Sequence, residues 1–259
     1  MLLRVFINKF MKISVITPSY NSAATIARTV DSVIAQNYSD LEYIIIDGAS
    51  KDNTKDIVSK FKNKINIKFI SEADQGIYDA MNKGIKLASG EVVGILNSDD
   101  MFDNPEVLMK VAALFNDNKI AAVYGDIKYF ASDVNKTTRL WRAEKYQENK
   151  LNNGWVIPHP ALFLRREVYE KCGLFRTDFK LAGDYEFILR ILKIHKINLK
   201  YFPKVLVRMY NGGASANSLK QRIKGWKELK KAWKVNNLRL PKLFILRRII
   251  FKLKQFLRF

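Results

Sequence analysis

Four short polar residues, Asn97-Ser98-Asp99-Asp100, close the apolar run at 90–96. A carboxylate at the end of a buried strand is costly unless it is paired or holds a metal. Mg2+ and Mn2+ bind carboxylate oxygens and fill their shells with substrate phosphates, so one or two protein acids suffice. Two more polar clusters, Pro18-Ser19-Tyr20-Asn21 and Asp47-Gly48-Ala49-Ser50, also follow apolar runs. Ligands of open α/β sheets bind beyond the carboxyl ends of the strands, so three such clusters imply one site. Taken alone, the acidic pair reads equally as a hydrogen-bonded pair or a solvated helix cap.

The elements that must position these groups follow from periodicity. Strands are predicted at 13–18, 41–47, 66–70 and 91–96, separated by helices at 23–36, 54–62 and 77–88, with Ser22 as the first N-cap. Buried apolar strands alternating with helices imply βαβ units and right-handed crossovers. The second half is less regular. It reads as a helix at 105–117, strands at 120–130 and 158–164, a helix at 183–195 and a short strand at 204–210. Helical patterns then fill 217–236 and 242–258. The composition changes near Asn211-Gly212-Gly213. Three segments result: an extension at 1–10 ahead of Met11, a domain at 11–212, and a basic helical tail at 213–259.

With 259 residues, 48% of them hydrophobic, the chain can bury a sizeable core. The single cysteine, Cys172, excludes a disulfide framework and a multi-cysteine zinc site, and is expected in the core. No apolar run approaches the roughly 18 residues of a membrane span. The net charge is +20, and residues 217–259 hold 14 Lys and Arg against one acid, Glu228. Such charge suggests nucleic acid first, but it is concentrated in the tail and no reader motif accompanies it, so no specific nucleic acid is expected. No G-x-G-x-x-G follows the first strand, which argues against a dinucleotide oxidoreductase.

The segments VITPSYNSAATIARTVDSVIAQNYSDLEYIIIDGASKDNT, NKGIKLASGEVVGILNSDD and AGDYEF resemble successive motifs of the family 2 glycosyltransferases, over about residues 11–210. The resemblance implies a GT-A fold: an α/β, Rossmann-like, mostly parallel central sheet flanked by helices. It also implies inverting transfer from a nucleotide-diphosphate sugar, with a UDP-sugar as the expected donor and a Mg or Mn cation. On this pattern Pro18 and Tyr20 flank the base, and Asp47 lies near base and ribose, with Gly48 where the family often has a second Asp. Asn97 takes the first place of the D-x-D motif, toward ribose or diphosphate, and Asp99 takes the last, as metal ligand. Asn82, in YDAMNKG, falls in a nucleotide-binding segment, with Met81 where the family commonly carries Arg. Asp184 matches the catalytic base, with Gly183 replacing the usual preceding acid; as a lone residue it reads as a helix N-cap. His159 falls where relatives often carry His, on the strand before that helix. It implies a contact to acceptor or diphosphate, against a core histidine.

In the tail, Leu243, Leu246, Ile249, Ile250, Leu253, Phe256 and Leu257 recur at helical spacing. Arg247, Arg248, Lys252, Lys254 and Arg258 lie mostly opposite. That pattern predicts an interfacial helix on an anionic membrane surface; the other reading is a basic helix packed on its own domain. The combined expectation is an enzyme in the cytoplasm, attached peripherally to the inner face of the cell membrane. It would act on a glycan or lipid-linked acceptor in surface-polysaccharide synthesis. Asn97 and Gly183 leave a catalytically impaired partner subunit as the alternative.

Overall fold

The computed structural model describes residues 11–212 and 219–257; the expected extension at 1–10 lies outside them. The first half follows the predicted alternation: β1 (Ile13–Ser19), α1 (Ile26–Ile34), β2 (Leu41–Asp47), α2 (Thr54–Ser59), β3 (Ile67–Ser71), α3 (Ile77–Leu87) and β4 (Val92–Ile95). These strands lie in the order β3-β2-β1-β4, all parallel. Every residue of β1 and β4 is buried, as expected where helices cover both faces. Helix α1 starts later than expected, with Thr25 rather than Ser22 at its N-cap.

The second half contains β5 (Met101–Phe102), α4 (Val107–Leu114), β6 (Ala122–Phe130), β7 (Thr137–Trp141) and α5 (Glu148–Asn152). A 3-10 turn at His159–Ala161 leads into β8 (Leu162–Arg165), α6 (Arg166–Cys172) and α7 (Gly183–Leu189). Then come β9 (Leu199–Tyr210), α8 (Leu219–Val235) and α9 (Phe244–Leu257). The sheet extends as β4-β8-β6-β9-β5, with β7 on β6. Here the sheet becomes mixed, although β9 still pairs parallel with β6. Strand β8 runs antiparallel to both β4 and β6, and the β6-β7 and β5-β9 pairs are antiparallel too. A loop of six residues joins β6 to β7, too short for the crossover that parallel neighbours need.

Side chains alternate between two cores, one on each face of the sheet. Ile16, Ile44 and Ile46 join the face covered by α3, α7 and α8; Ile13, Val15 and Ile45 join the face covered by α1, α2 and α4. Cys172 is a buried free thiol in the first of these. Residues 219–244, read from sequence as the start of a tail, contribute Leu229, Ala232, Trp233 and Phe244 to that same core. Among the described residues no helix is long and apolar enough to cross a membrane.

Candidate active site

The carboxyl ends of β1, β2 and β3 are tied together by one carboxylate. Buried Asp47 accepts hydrogen bonds from Ser50 N (2.9 Å), Ser50 Oγ and Ser71 Oγ (2.7 Å), with Ser19 Oγ at 3.4 Å. Expected near base and ribose, Asp47 is in this arrangement the anchor of the loops that would meet them. Asn21 helps: its N–H donates to Ser50 Oγ and its side-chain oxygen accepts from Lys51 N. Asn21 and Ala49 both have positive φ, 47° and 57°, a backbone cost that clusters at ligand sites. Pro18 is buried at the end of β1, and the next side chain but one, Tyr20, is 60% exposed. An exposed aromatic ring at this edge offers a surface on which a base can stack.

Gly48 explains the missing second acid. A Cβ at Gly48 would stand 2.5 Å from Asp74 Oδ2, so the Asp74 carboxylate fills the volume a side chain there would take. Asp74 reaches this place from the loop after β3. Sequence reasoning missed it; the only signal was its position just past a strand end, in SEADQG.

Beyond β4 the four polar residues divide their roles. Asp100 is fully buried and accepts from Tyr210 N (3.1 Å) and from Asn97 Nδ2 (3.0 Å). Burial first, and the neighbouring Asp99 second, push its carboxyl above the usual range. It is an internal strut. Asp99 is half-buried and also raised by burial, against the pull of its own N–H and of Arg28. Asn97 Oδ1 is buried and has no hydrogen-bond partner among the described residues. An orphaned amide oxygen beside a desolvated carboxylate is a hard-oxygen donor pair, and it fits Mg2+ or Mn2+. No cluster of three His, Cys, Asp or Glu that could hold a metal occurs among the described residues. The rest of such a shell would come from ligand oxygens and water.

Asp184 lies in the first turn of α7, where Ala182 is the N-cap, so capping is not its role. The Tyr78 hydroxyl donates to Asp184 Oδ1 at 3.2 Å. Burial and the Asp184 charge both raise the Tyr78 pKa, which keeps this donor protonated. Gly183 again has a physical reason: a Cβ there would lie 2.8 Å from the Tyr78 ring. The loop before α7 is held from the C-terminal segment. Glu228 of α8, nine-tenths buried, accepts from the N–H groups of Lys180, Leu181 and Ala182 at 2.8–3.1 Å. In addition, Trp233 Nε1 donates to Tyr185 Oη at 2.9 Å. The single acid of residues 217–259 therefore positions the Asp184 loop.

Two assignments change. Asn82, expected at the nucleotide, is buried with its amide closed on Phe175, donating to its O (2.8 Å) and accepting from its N (2.9 Å). Both ends of the amide are engaged, so it is a structural clamp. His159 sits in the 3-10 turn rather than on the strand, edge-on to Phe175. Burial lowers its pKa, Asp184 opposes that, and the ring is neutral at pH 7. It lies beneath Asp184, in the core.

Helix α9 has two unlike sides. Leu246, Ile250, Leu253 and Phe256 are exposed, as is Leu243 just ahead of the helix. Exposed Arg247 donates to Asn153 Oδ1 (3.0 Å). Arg248, expected to face lipid, instead turns inward. It donates to Gly154 O (3.0 Å) and stacks on Tyr185, 5.2 Å from the ring centre. Lys252 follows one turn later on the same side. The Lys254 side chain and Arg258 lie outside the described residues.

Residues 14–173 match Glycosyl transferase family 2. A PGL/p-HBAD biosynthesis glycosyltransferase of Mycobacterium bovis (strain BCG / Pasteur 1173P2) is 30% identical over 207 residues, covering 78% of each chain. Residues 1-349 of S. aureus TarS in complex with UDP-GlcNAc superpose with a TM-score of 0.70 at 19% identity, over 93% of this chain and 73% of that one. The chain spans 43% of a longer S. aureus TarS chain to which it is also similar. A mannosyltransferase from Pyrobaculum calidifontis, in complex with GDP-Man and Mn2+, gives a TM-score of 0.66 at 19% identity, over 95% and 70%. The fold is thus GT-A, and the chain belongs to glycosyl transferase family 2.

Proposed function

We propose that this chain transfers a sugar from a nucleoside-diphosphate donor, a UDP-sugar, to a hydroxyl of a glycan or lipid-linked acceptor, with inversion. The observation that carries the reading is the placement of Asp184. It is held by Tyr78 from α3 and, through its loop, by Glu228 from α8, with one carboxylate oxygen outside the Tyr78 hydrogen bond. Asp184 takes the proton of the acceptor hydroxyl as that oxygen attacks the anomeric carbon. Neutral His159 nearby places no second positive charge beside the carboxylate. A single displacement inverts the configuration. On the donor side, Tyr20 stacks on the base, and Asp74 beside Gly48 supplies the acid that meets base or ribose. A Mg2+ or Mn2+ ion held by Asp99, with Asn97 Oδ1 beside it, would neutralise charge on the departing diphosphate. Support for the donor class comes from the solved neighbours, which hold UDP-GlcNAc in one case and GDP-Man with Mn2+ in another.

The exposed stripe of α9 belongs to the same proposal. Leu243 is 67% exposed and Leu253 58%, with cationic Lys242 and Arg247 beside the stripe. An apolar face flanked by cations fits an anionic membrane, each basic residue adding about 1 kcal/mol near the surface. The enzyme then works peripherally at the inner face of the cell membrane, where a lipid-linked acceptor is held. The test is a hydrolysis and transfer screen across UDP-, GDP- and dTDP-sugars, with Mn2+ or with chelator. Release of UDP from one UDP-sugar, abolished by chelator, is the expected result. Turnover of no nucleotide sugar, or full turnover in chelator, contradicts the reading.

A further inference from the structure

Three cations stand on the tail side of the Asp184 helix: Arg139 of β7, and Arg248 and Lys252 of α9. The Arg139 guanidinium lies 3.6 Å from the centre of the Tyr129 ring and 5.1 Å from that of Phe256, which bridges β7 to α9. Its Nε is buried without a hydrogen-bond partner among the described residues. Arg248 and Lys252, one turn apart on one side of α9, are near enough to Asp184 to feel its charge. Lys252 keeps solvent access, yet its ammonium is pushed down to about 8, by desolvation first and then by Arg248 and Arg139.

Asp184 is the carboxylate that acts on Arg248 and Lys252, while Asp100 acts on the Tyr129 ring that Arg139 covers. None of the three cations forms an ion pair within 4.0 Å among the described residues, whose pairs involve other side chains. The segments 1–10, 213–218 and 258–259 contain no Asp or Glu that could supply one. Three cations without an ion pair leave a positive pocket that an anionic ligand would stabilise.

We infer that Arg139, Arg248 and Lys252 form a binding site for a phosphoryl group of the acceptor, adjoining the base Asp184. This deepens the proposed glycosyl transfer and rests on it. Two observations favour the acceptor over the donor. The donor-side groups Tyr20, Asp74 and Asp99 stand at the ends of β1, β3 and β4, whereas the cations come from β7 and α9. The outer side of α9 also carries the exposed apolar stripe, so one helix offers cations inward and an apolar surface outward. A phosphate joined to a hydrocarbon chain matches that pairing. Arginine suits the role because its planar fork grips phosphate oxygens in pairs.

The test is calorimetric titration of the full chain with octyl phosphate, with octyl glucoside as the phosphate-free control, and with UDP plus Mn2+. Wild type binds octyl phosphate, and Arg139→Gln/Lys252→Gln weakens that binding at least tenfold. Octyl glucoside and UDP affinities stay within twofold. Lys252→Gln alone, at an exposed side chain, serves if the double variant fails to fold, with an expected loss of about threefold in line with one solvent-exposed ion pair. Equal octyl phosphate affinity in wild type and variants overturns the inference, as does its absence in wild type. A parallel fall in UDP affinity also overturns it, assigning the cluster to the donor diphosphate. Failure of wild type to bind UDP would instead contradict the proposed function, a separate outcome.

Discussion

The two sides of the site are built on opposite principles. At the strand ends of β1–β4, the polar groups largely satisfy one another. Asp47 is hydrogen-bonded by serines, Asn21 by Ser50 Oγ and Lys51 N, and Asp100 by Tyr210 and Asn97. Asn97 Oδ1, beside Asp99, and Arg28 Nε are buried there without a hydrogen-bond partner among the described residues. On the side of α7–α9, Glu228 fixes the backbone just as firmly, whereas Arg139, Arg248 and Lys252 form no ion pair with a carboxylate among the described residues. A preorganised polar edge binds with little rearrangement, because its dipoles are already oriented. On the proposed function, the first side serves donor recognition, and the second serves chemistry and acceptor capture.

The sharpest way to break this division is Asp184→Asn. Loss of a general base lowers turnover by about 10²–10⁴-fold. A transfer assay under saturating donor checks this, and retention of more than a tenth of wild-type turnover would remove Asp184 as the base. Next comes Glu228→Gln, which weakens three backbone hydrogen bonds to a buried charge. A stability loss of about 1–3 kcal/mol is expected from denaturant unfolding, together with slower turnover. Unchanged stability and turnover would detach α8 from the catalytic loop. The smallest expected effect on folding is at the α9 stripe. Leu246→Asn/Ile250→Asn should shift stability by only about 0.5 kcal/mol, since both side chains are exposed. Co-sedimentation with phosphatidylglycerol vesicles should fall severalfold, and undiminished retention would place the membrane contact elsewhere.

Much of the donor side was legible in the sequence because strand periodicity and strand-end polar clusters are local signals. Strand β2 is predicted and observed at 41–47, and β1, β3, α3 and β4 agree to within a residue or two at each end. The second half was harder to read. Strand β7, helices α5 and α6 and the two-residue β5 were not anticipated, being short, and β7 is only partly buried. Their form depends on tertiary pairing rather than on local pattern. Site residues divide the same way. Among the candidate residues, the motif positions Asp99 and Asp184 were readable locally, whereas Tyr78, Asp74 and Glu228 make contacts 106, 26 and 46 positions away in the chain. Asn82 carried a motif position but a structural role, since an amide can close on a distant backbone that no local spacing reveals. The tail misled in orientation. Its helical period was readable, but the side of α9 that packs is set by Phe244 and Arg248 meeting Tyr185 and Gly154.

The most direct test of the two-sided account is calorimetric titration of UDP with Mn2+ into Asp99→Asn and Asp184→Asn, beside wild type. The account predicts that Asp184→Asn keeps wild-type affinity within about threefold, because the base acts on the acceptor. It predicts that Asp99→Asn loses at least about tenfold, the order expected for one buried charged interaction. Equal losses in both variants, or a loss confined to Asp184→Asn, would contradict it.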